Sequence, residues 1–163
     1  MLRLVVDSST LFALERADLI KFLNKTGYEI IIPGSVKEEI VKDSKGVLNK
    51  VKIEPLRGKS LKKSKFLENI GIGKGEAQCC ILANKLKLDF IICDDRKFLR
   101  QRYLNKDLEK IKINGFAFFL DIFIKKKIIK DVWEYFNKII KLTNWERSEV
   151  EAANYVFLKE MGY

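Results

Sequence analysis

The chain is 163 residues long, 47% apolar and 33% charged, a size and balance that fit one globular domain with a sizeable core and exclude a disordered chain. An excess of 32 Lys and Arg over 22 Asp and Glu leaves a net charge of +10, which points to a polyanionic partner, nucleic acid before an anionic membrane; a Lys-rich, Ile-rich surface of the heat-adapted kind explains the same excess. There is no histidine, which excludes Ser-His-Asp and Cys-His catalysis and His-based zinc sites, and leaves carboxylates, Lys, Tyr and Cys for any acid–base or metal chemistry.

Leu2 to Val6 is a short β-rich apolar run that ends on Asp7, as a buried strand does. Apolar residues from Leu11 to Leu23 then recur at helical spacing up to Gly27, and Ser8 or Ser9 can cap the start. Tyr28 to Ile32 reads as a second strand, stopped by Pro33 and Gly34. Ser35-Val36-Lys37-Glu38 fits a capping box opening a helix to about Lys42. Val51 to Ile53 is a short strand, and the basic stretch Arg57 to Lys65 leads into a short helix. After the turn at Gly71, Gly73 and Gly75 come a helix to Leu86, an apolar strand from Leu88 to Cys93, the pair Asp94-Asp95 and an Arg-rich helix to about Tyr103. Ile111 to Ile113 is a last short strand. Three helices follow, Phe116 to Lys125, Asp131 to Leu142 and Trp145 to about Lys159, the last capped by Thr143 or Asn144.

Strands alternating with helices predict a parallel sheet covered on both faces. We expect one domain over residues 1–163, with an α/β core to about 125 and a helical extension, 126–163, packed on it. Cys79, Cys80 and Cys93 sit among apolar neighbours and read as reduced core residues. No apolar run approaches the ~20 residues of a membrane span, and the amino terminus enters a strand with no basic and apolar leader. A cytoplasmic protein without a membrane partner is therefore expected.

Six acids are weighed for function. Asp7 closes a strand, and neighbouring hydroxyls free it from capping duty. Glu38 belongs to the capping box, whereas Glu39 shares a helical face with Val36 and Ile40 and needs a partner there, a lysine or a metal. Glu76 lies in a first helical turn, on the face of Cys79, Cys80 and Ala83, where an unpaired carboxylate is costly. Of Asp94 and Asp95 one caps the following helix and the other is surplus. If the strands ending at Asp7 and at Asp94-Asp95 are neighbours, their acids meet at one sheet edge, where oxygen ligands suit Mg²⁺.

VVDSSTLFAL, IPGSVKEEI, GIGKGEAQCCILA and DFIICDDRKF resemble, in order and spacing, the motifs of PIN domains, in particular the VapC-like branch with GEA and DDR motifs. The resemblance covers about residues 1–125. It implies a three-layer α/β/α fold with a parallel sheet of about five strands, and extra carboxy-terminal helices. It implies a ribonuclease dependent on Mg²⁺ or Mn²⁺, with Asp7, Glu39, Glu76 and Asp95 as its acids and Asp94 as a neighbour able to substitute as a ligand. It makes a toxin role, a small antitoxin-like protein partner and a homodimer plausible. The chain departs from the pattern in carrying Glu76 where Asp is common and Cys93 where a hydroxyl is common. Arg96, Lys97, Arg100 and Arg102 follow the fourth acid directly and are candidates to hold RNA phosphates, with Lys59 to Lys65 as a second basic stretch and Tyr103 as a base-stacking candidate. Phe98 reads as core. The alternative class is a PIN-fold scaffold or nucleic-acid-binding module with weak or no catalysis. A nucleotide-binding reading of the GIGKG turn lacks the Gly-Lys-Ser/Thr ending of a P-loop.

Overall fold

The computed structural model describes residues 2–43, 45–101 and 106–163. Five short strands carry the fold: β1 (Leu2–Val5), β2 (Tyr28–Ile32), β3 (Lys52–Ile53), β4 (Phe90–Ile92) and β5 (Lys112–Asn114). β1 pairs in parallel with β2, with Leu4 opposite Ile30 and Val5 opposite Ile31; β2 pairs with β3, and β4 with β5. A parallel bridge between Val6 and Ile92 joins the two sets, and Asp7 N–H donates to Ile92 O at 2.8 Å. The strand order is thus β3-β2-β1-β4-β5, all parallel. β1 lies in the middle, which explains why Leu4, Val5 and Val6 are buried without alternation. The expected three-layer α/β/α class holds.

The helices are α1 (Ser8–Arg16), α2 (Gly34–Asp43), α3 (Lys45–Leu48), α4 (Gly58–Asn69), α5 (Lys74–Leu86), α6 (Arg96–Gln101), α7 (Lys106–Glu109), α8 (Ala117–Lys125), α9 (Val132–Thr143) and α10 (Glu149–Glu160). Several boundaries differ from expectation, each for a local reason. The first helix stops at Arg16 because Asp18 adopts a left-handed conformation; Ile20–Lys25 continues as a 3₁₀ turn. Asp7 itself caps α1, its carboxylate accepting the Ser9 N–H at 3.2 Å, so Ser8 and Ser9 do not serve as caps. No capping box forms at Ser35. α2 already begins at Gly34, the Ser35 N–H donates to Gln78 Oε1, and Glu38 bridges to Lys74 at 2.8 Å. The basic stretch after Arg57 does not precede a helix; it is the first half of the 12-residue α4. The last helix is capped by Ser148, not by Thr143 or Asn144; Asn144 ends α9 in a left-handed conformation.

α8 is the aromatic spine of the carboxy-terminal half. Phe116, Phe119 and Phe123 are fully buried, and Phe116 stacks on Trp145 and meets Phe136 at a tilt, with centroids 6.0 and 5.7 Å away, contacts that add to plain area burial. α9 packs on α1, and α10 on α8. Phe98 is core, and the three cysteines are buried and free. Among the described residues no helix is long and apolar enough to cross a membrane.

Candidate functional site

The bridge between Val6 and Ile92 makes β1 and β4 neighbours, so the loops bearing Asp7 and Asp94-Asp95 leave the sheet side by side at the carboxyl ends of its strands. Both strand-end acids also start a helix. Asp7 Oδ2 accepts the N–H of Ser9 at 3.2 Å and its hydroxyl at 2.9 Å. Asp95 Oδ1 accepts the N–H of Phe98, on the first turn of α6, at 2.6 Å. Capping uses one oxygen of each carboxylate.

The other oxygen of Asp7 faces α5. A β-carbon placed on Gly75 would lie 3.1 Å from Asp7 Oδ1 and 3.3 Å from Glu39 Oε1, so these two carboxylates approach the same glycine. Glu39 arrives because α2 packs against both α1 and α5. Its Oε2 accepts the Ser8 hydroxyl, and among the described residues it forms no ion pair, Lys74 being engaged by Glu38. Glu76 sits one residue beyond Gly75, with its carboxylate drawn back over Gly73, where any β-carbon would collide with it.

The electrostatics follow from burial of like charges, with no ion pair to them among the described residues. Asp7 is 2% exposed; desolvation, reinforced by the Glu39 charge, pushes its carboxyl up to about 6 against the pull of the Ser9 hydrogen bonds. Glu76 is pushed up to about 7, first by desolvation and then by the charges of Asp7, Asp95 and Glu39. Glu76 is thus the acid on which the charges of the other three act.

Asp94 turns the other way. Its Oδ2 accepts Thr10 Oγ1 at 2.6 Å and Phe116 N–H at 2.8 Å, and its Oδ1 accepts Asn154 Nδ2 at 2.8 Å. Both oxygens are thus committed to hydrogen bonds in the interior. A side chain on Gly115 would collide with Asp94 and Asn154. We expect Gly115→Ala to destabilise the fold by about 1–3 kcal/mol through this overpacking, measurable as a lowered urea midpoint at unchanged slope.

The hydroxyl missing at Cys93 is supplied by Ser9. Asp94 N–H donates to Ser9 Oγ at 3.0 Å, and Cys93 Sγ lies 4.0 Å from the same oxygen. Ser9 thereby links the loop of the fourth acid to Asp7. The sequence signalled it only as a helix-cap candidate, and it gave no signal at all for Asn154, which reaches Asp94 from 60 residues away.

Of the basic residues after Asp95, the side chains of Lys97 and Arg100 are described. Lys97 is exposed. Arg100 is committed to Glu149, its Nε 2.8 Å from both carboxylate oxygens. The side chain of Arg96, and Arg102 and Tyr103 entirely, lie outside the described residues. Lys59, Lys62, Lys63 and Lys65 are exposed along α4.

Among the described residues no three His, Cys, Asp or Glu side chains stand in ready metal-ligand geometry. The donor set itself fits a hard divalent cation: carboxylate oxygens, partly buried and, among the described residues, without ion pairs to Lys or Arg.

Fold and site together define a three-layer α/β/α domain with an acid-lined edge at the carboxyl ends of its central strands. A family model described as a PIN domain matches residues 3–157, and the chain belongs to that family. The match runs past the 125 residues expected from the motifs and takes in α8, α9 and most of α10. No curated protein and no solved structure matches the chain. PIN domains are usually nucleases that use divalent metals.

Proposed function

We propose that the protein is a metal-dependent endoribonuclease that hydrolyses RNA phosphodiester bonds, with Asp7, Glu76 and Asp95 holding Mg²⁺ or Mn²⁺ and Glu39 completing the acid cluster. The observation that supports this reading is the close approach of Asp7 and Glu39 at Gly75, with Glu76 one residue further along α5. Bound there, a divalent cation supplies an acidified water as nucleophile and stabilises charge on the phosphate oxygens.

The chain's own groups do the positioning. Ser9 holds Asp7 by one oxygen and leaves Oδ1 turned toward Gly75. The Phe98 N–H fixes Asp95 in the same way. The Ser8 hydroxyl orients Glu39, which is then placed to orient a water. Gly75 leaves room between the two carboxylates that any larger residue would narrow. For substrate, Arg96, Lys97, Arg100 and Arg102 hold phosphates beside the acids, Arg100 exchanging Glu149 for a phosphate, and the net charge of +10 draws in the polyanion.

Incubation with single-stranded RNA tests the reading. The expected result is internal cleavage that chelator stops, Mn²⁺ restores and rising salt weakens. Cleavage that persists in chelator overturns the metal assignment. Absence of cleavage, together with a melting temperature that Mn²⁺ does not move, assigns the chain instead to a binding or scaffold role. The VapC-like order of the motifs supports a narrower version, the toxin of a toxin–antitoxin pair with a small antitoxin protein and a second copy of itself as partners. Growth arrest on expression in bacteria, absent for Asp7→Asn, is its expected signature.

A further inference from the structure

Asn154 occupies the middle of α10, and its side chain is 2% exposed. A buried amide has to place two donors and an acceptor, and Asn154 places all of them. Nδ2 donates to Asp94 Oδ1 and to Val150 O, each at 2.8 Å, and Oδ1 accepts the Ala117 N–H at 2.9 Å. The two N–H groups that open the Phe116–Ala117 turn are therefore capped from outside their own segment, one by Asp94 and one by Asn154. Asp94 in turn accepts Thr10 Oγ1 at 2.6 Å, and Thr10 is fully buried on α1, the helix that Asp7 caps. The Asp94 main-chain N–H reaches Asp7 by a second path through Ser9 Oγ. One buried network thus ties α10 to both strand-end loops. Every acceptor in it is met and no water is required, the condition under which a buried polar network fixes geometry instead of weakening the core.

We infer that Asn154 is a positioning residue for the acid cluster, holding through Asp94 the peptide that carries Asp95 and, through Thr10 and Ser9, the helix start that carries Asp7. This rests on the proposed role of Asp7 and Asp95 as metal ligands. It makes α10 part of the working domain and not an appendage to it. It also gives Asp94 a role distinct from that of Asp95, as the joint through which a distant helix sets the angle of its neighbour.

The test compares Asn154→Ala with Leu158→Ala, a fully buried residue of the same helix that lies outside the network. Two quantities are read on the full chain: the Mn²⁺ dissociation constant by calorimetry, and amide hydrogen exchange at Asp94 and Phe98 without metal. Asn154→Ala is expected to weaken Mn²⁺ binding about tenfold, the lower end for loss of an outer-sphere partner, and to speed exchange at both amides by about the same factor. Leu158→Ala should leave both readouts near wild type. If Asn154→Ala does not fold, Thr10→Val, which removes one donor to the same carboxylate, takes its place with the same expectation. Unchanged exchange at Asp94 and Phe98 in the network variant overturns the inference, as do equal effects from Leu158→Ala. A wild-type chain that binds no Mn²⁺ overturns the proposed function alone, and the exchange data then decide the role of Asn154 by themselves.

Discussion

Asp7→Asn is expected to abolish metal-dependent cleavage and, at the same time, to raise the melting temperature of the metal-free protein. The two effects share one cause. Asp7 is buried, its carboxyl is pushed up to about 6 from 3.8, and desolvation is the main reason. Folding at neutral pH therefore has to hold a charge in a place that disfavours it, at a cost of up to about 3 kcal/mol. Asparagine removes the charge and keeps the cap, because its side-chain oxygen can still accept the Ser9 N–H and hydroxyl that Asp7 Oδ2 accepts now. Its new amide donor would face Glu39 Oε1 across Gly75, where two acceptors stand at present. Stabilisation of this size shifts the melting temperature upward by roughly 5–10 °C. Cleavage should fall by at least about a hundredfold, since loss of an outer-sphere partner alone reaches that order. Thermal melts in chelator and cleavage assays in Mn²⁺, run on the same preparations, check both halves. Undiminished cleavage removes Asp7 from the site. A lowered melting temperature means that the buried carboxylate is a net support of the fold, contrary to the electrostatic account.

The contrast between Asp7 and Glu38 shows what kind of information the sequence held. The apolar run ending at Asp7, and its repetition at Asp94-Asp95, are local patterns, and the class of the fold follows from local patterns alternating along the chain. That β1 and β4 lie side by side is a long-range fact. It was legible only conditionally, as what would happen if the two strands were neighbours, and the Val6–Ile92 bridge meets the condition. Glu38 and Glu39 differ by one position on a helix, which turned one outward to Lys74 and the other inward to Ser8. Helical periodicity separated them correctly, although the capping box assigned to Glu38 was replaced by an ion pair.

Capping signals misled elsewhere because they are permissive. Ser8, Ser9, Ser35, Thr143 and Asn144 all have side chains that can cap, but tertiary partners claimed them or the chain turned first. Asp7 took the cap of α1 despite three hydroxyl residues beside it, since a strand-end carboxylate already pointed at the first free N–H groups. Asn154 could not be found by pattern at all. An asparagine in an amphipathic helix reads as surface, and only the approach of Gly115, which leaves no room for a β-carbon, brings it to Asp94. Consecutive charges on a helix point in different directions, and of the basic run after Asp95 the described side chains are Lys97, which is exposed, and Arg100, which pairs with Glu149 at the surface.

The metal-free protein should be less stable at pH 8 than at pH 5.5, and Mn²⁺ should reverse that order. Asp7 and Glu76 have folded-state values near 6 and 7, above their ordinary 3.8 and 4.5. Between those limits the folded chain binds more protons than the unfolded one, so stability falls as pH rises. The loss begins near pH 4 and is complete only above about 7, where both carboxyls are ionised in either state. Asp94, raised to about 6 by burial, adds to the slope in the same direction. A chain of net charge +10 also gains positive charge as pH drops, which pulls the other way. The informative quantity is therefore the difference between wild type and Asp7→Asn, in which the background cancels. Wild type should lose stability relative to the variant across about pH 4–6, the span between the ordinary and folded values of Asp7. A divalent cation competes with these protons for the same oxygens. Its effect should be small at pH 5.5 and grow through pH 6–7, reaching about 2.7 kcal/mol when present at a hundred times its dissociation constant. Thermal melts of both proteins over this range, with and without Mn²⁺, separate the alternatives. A Mn²⁺ effect that follows pH in wild type and disappears in Asp7→Asn ties the metal to this cluster. A shift independent of pH, or equal in the two proteins, places the ion elsewhere on the surface, whatever the cleavage assay finds.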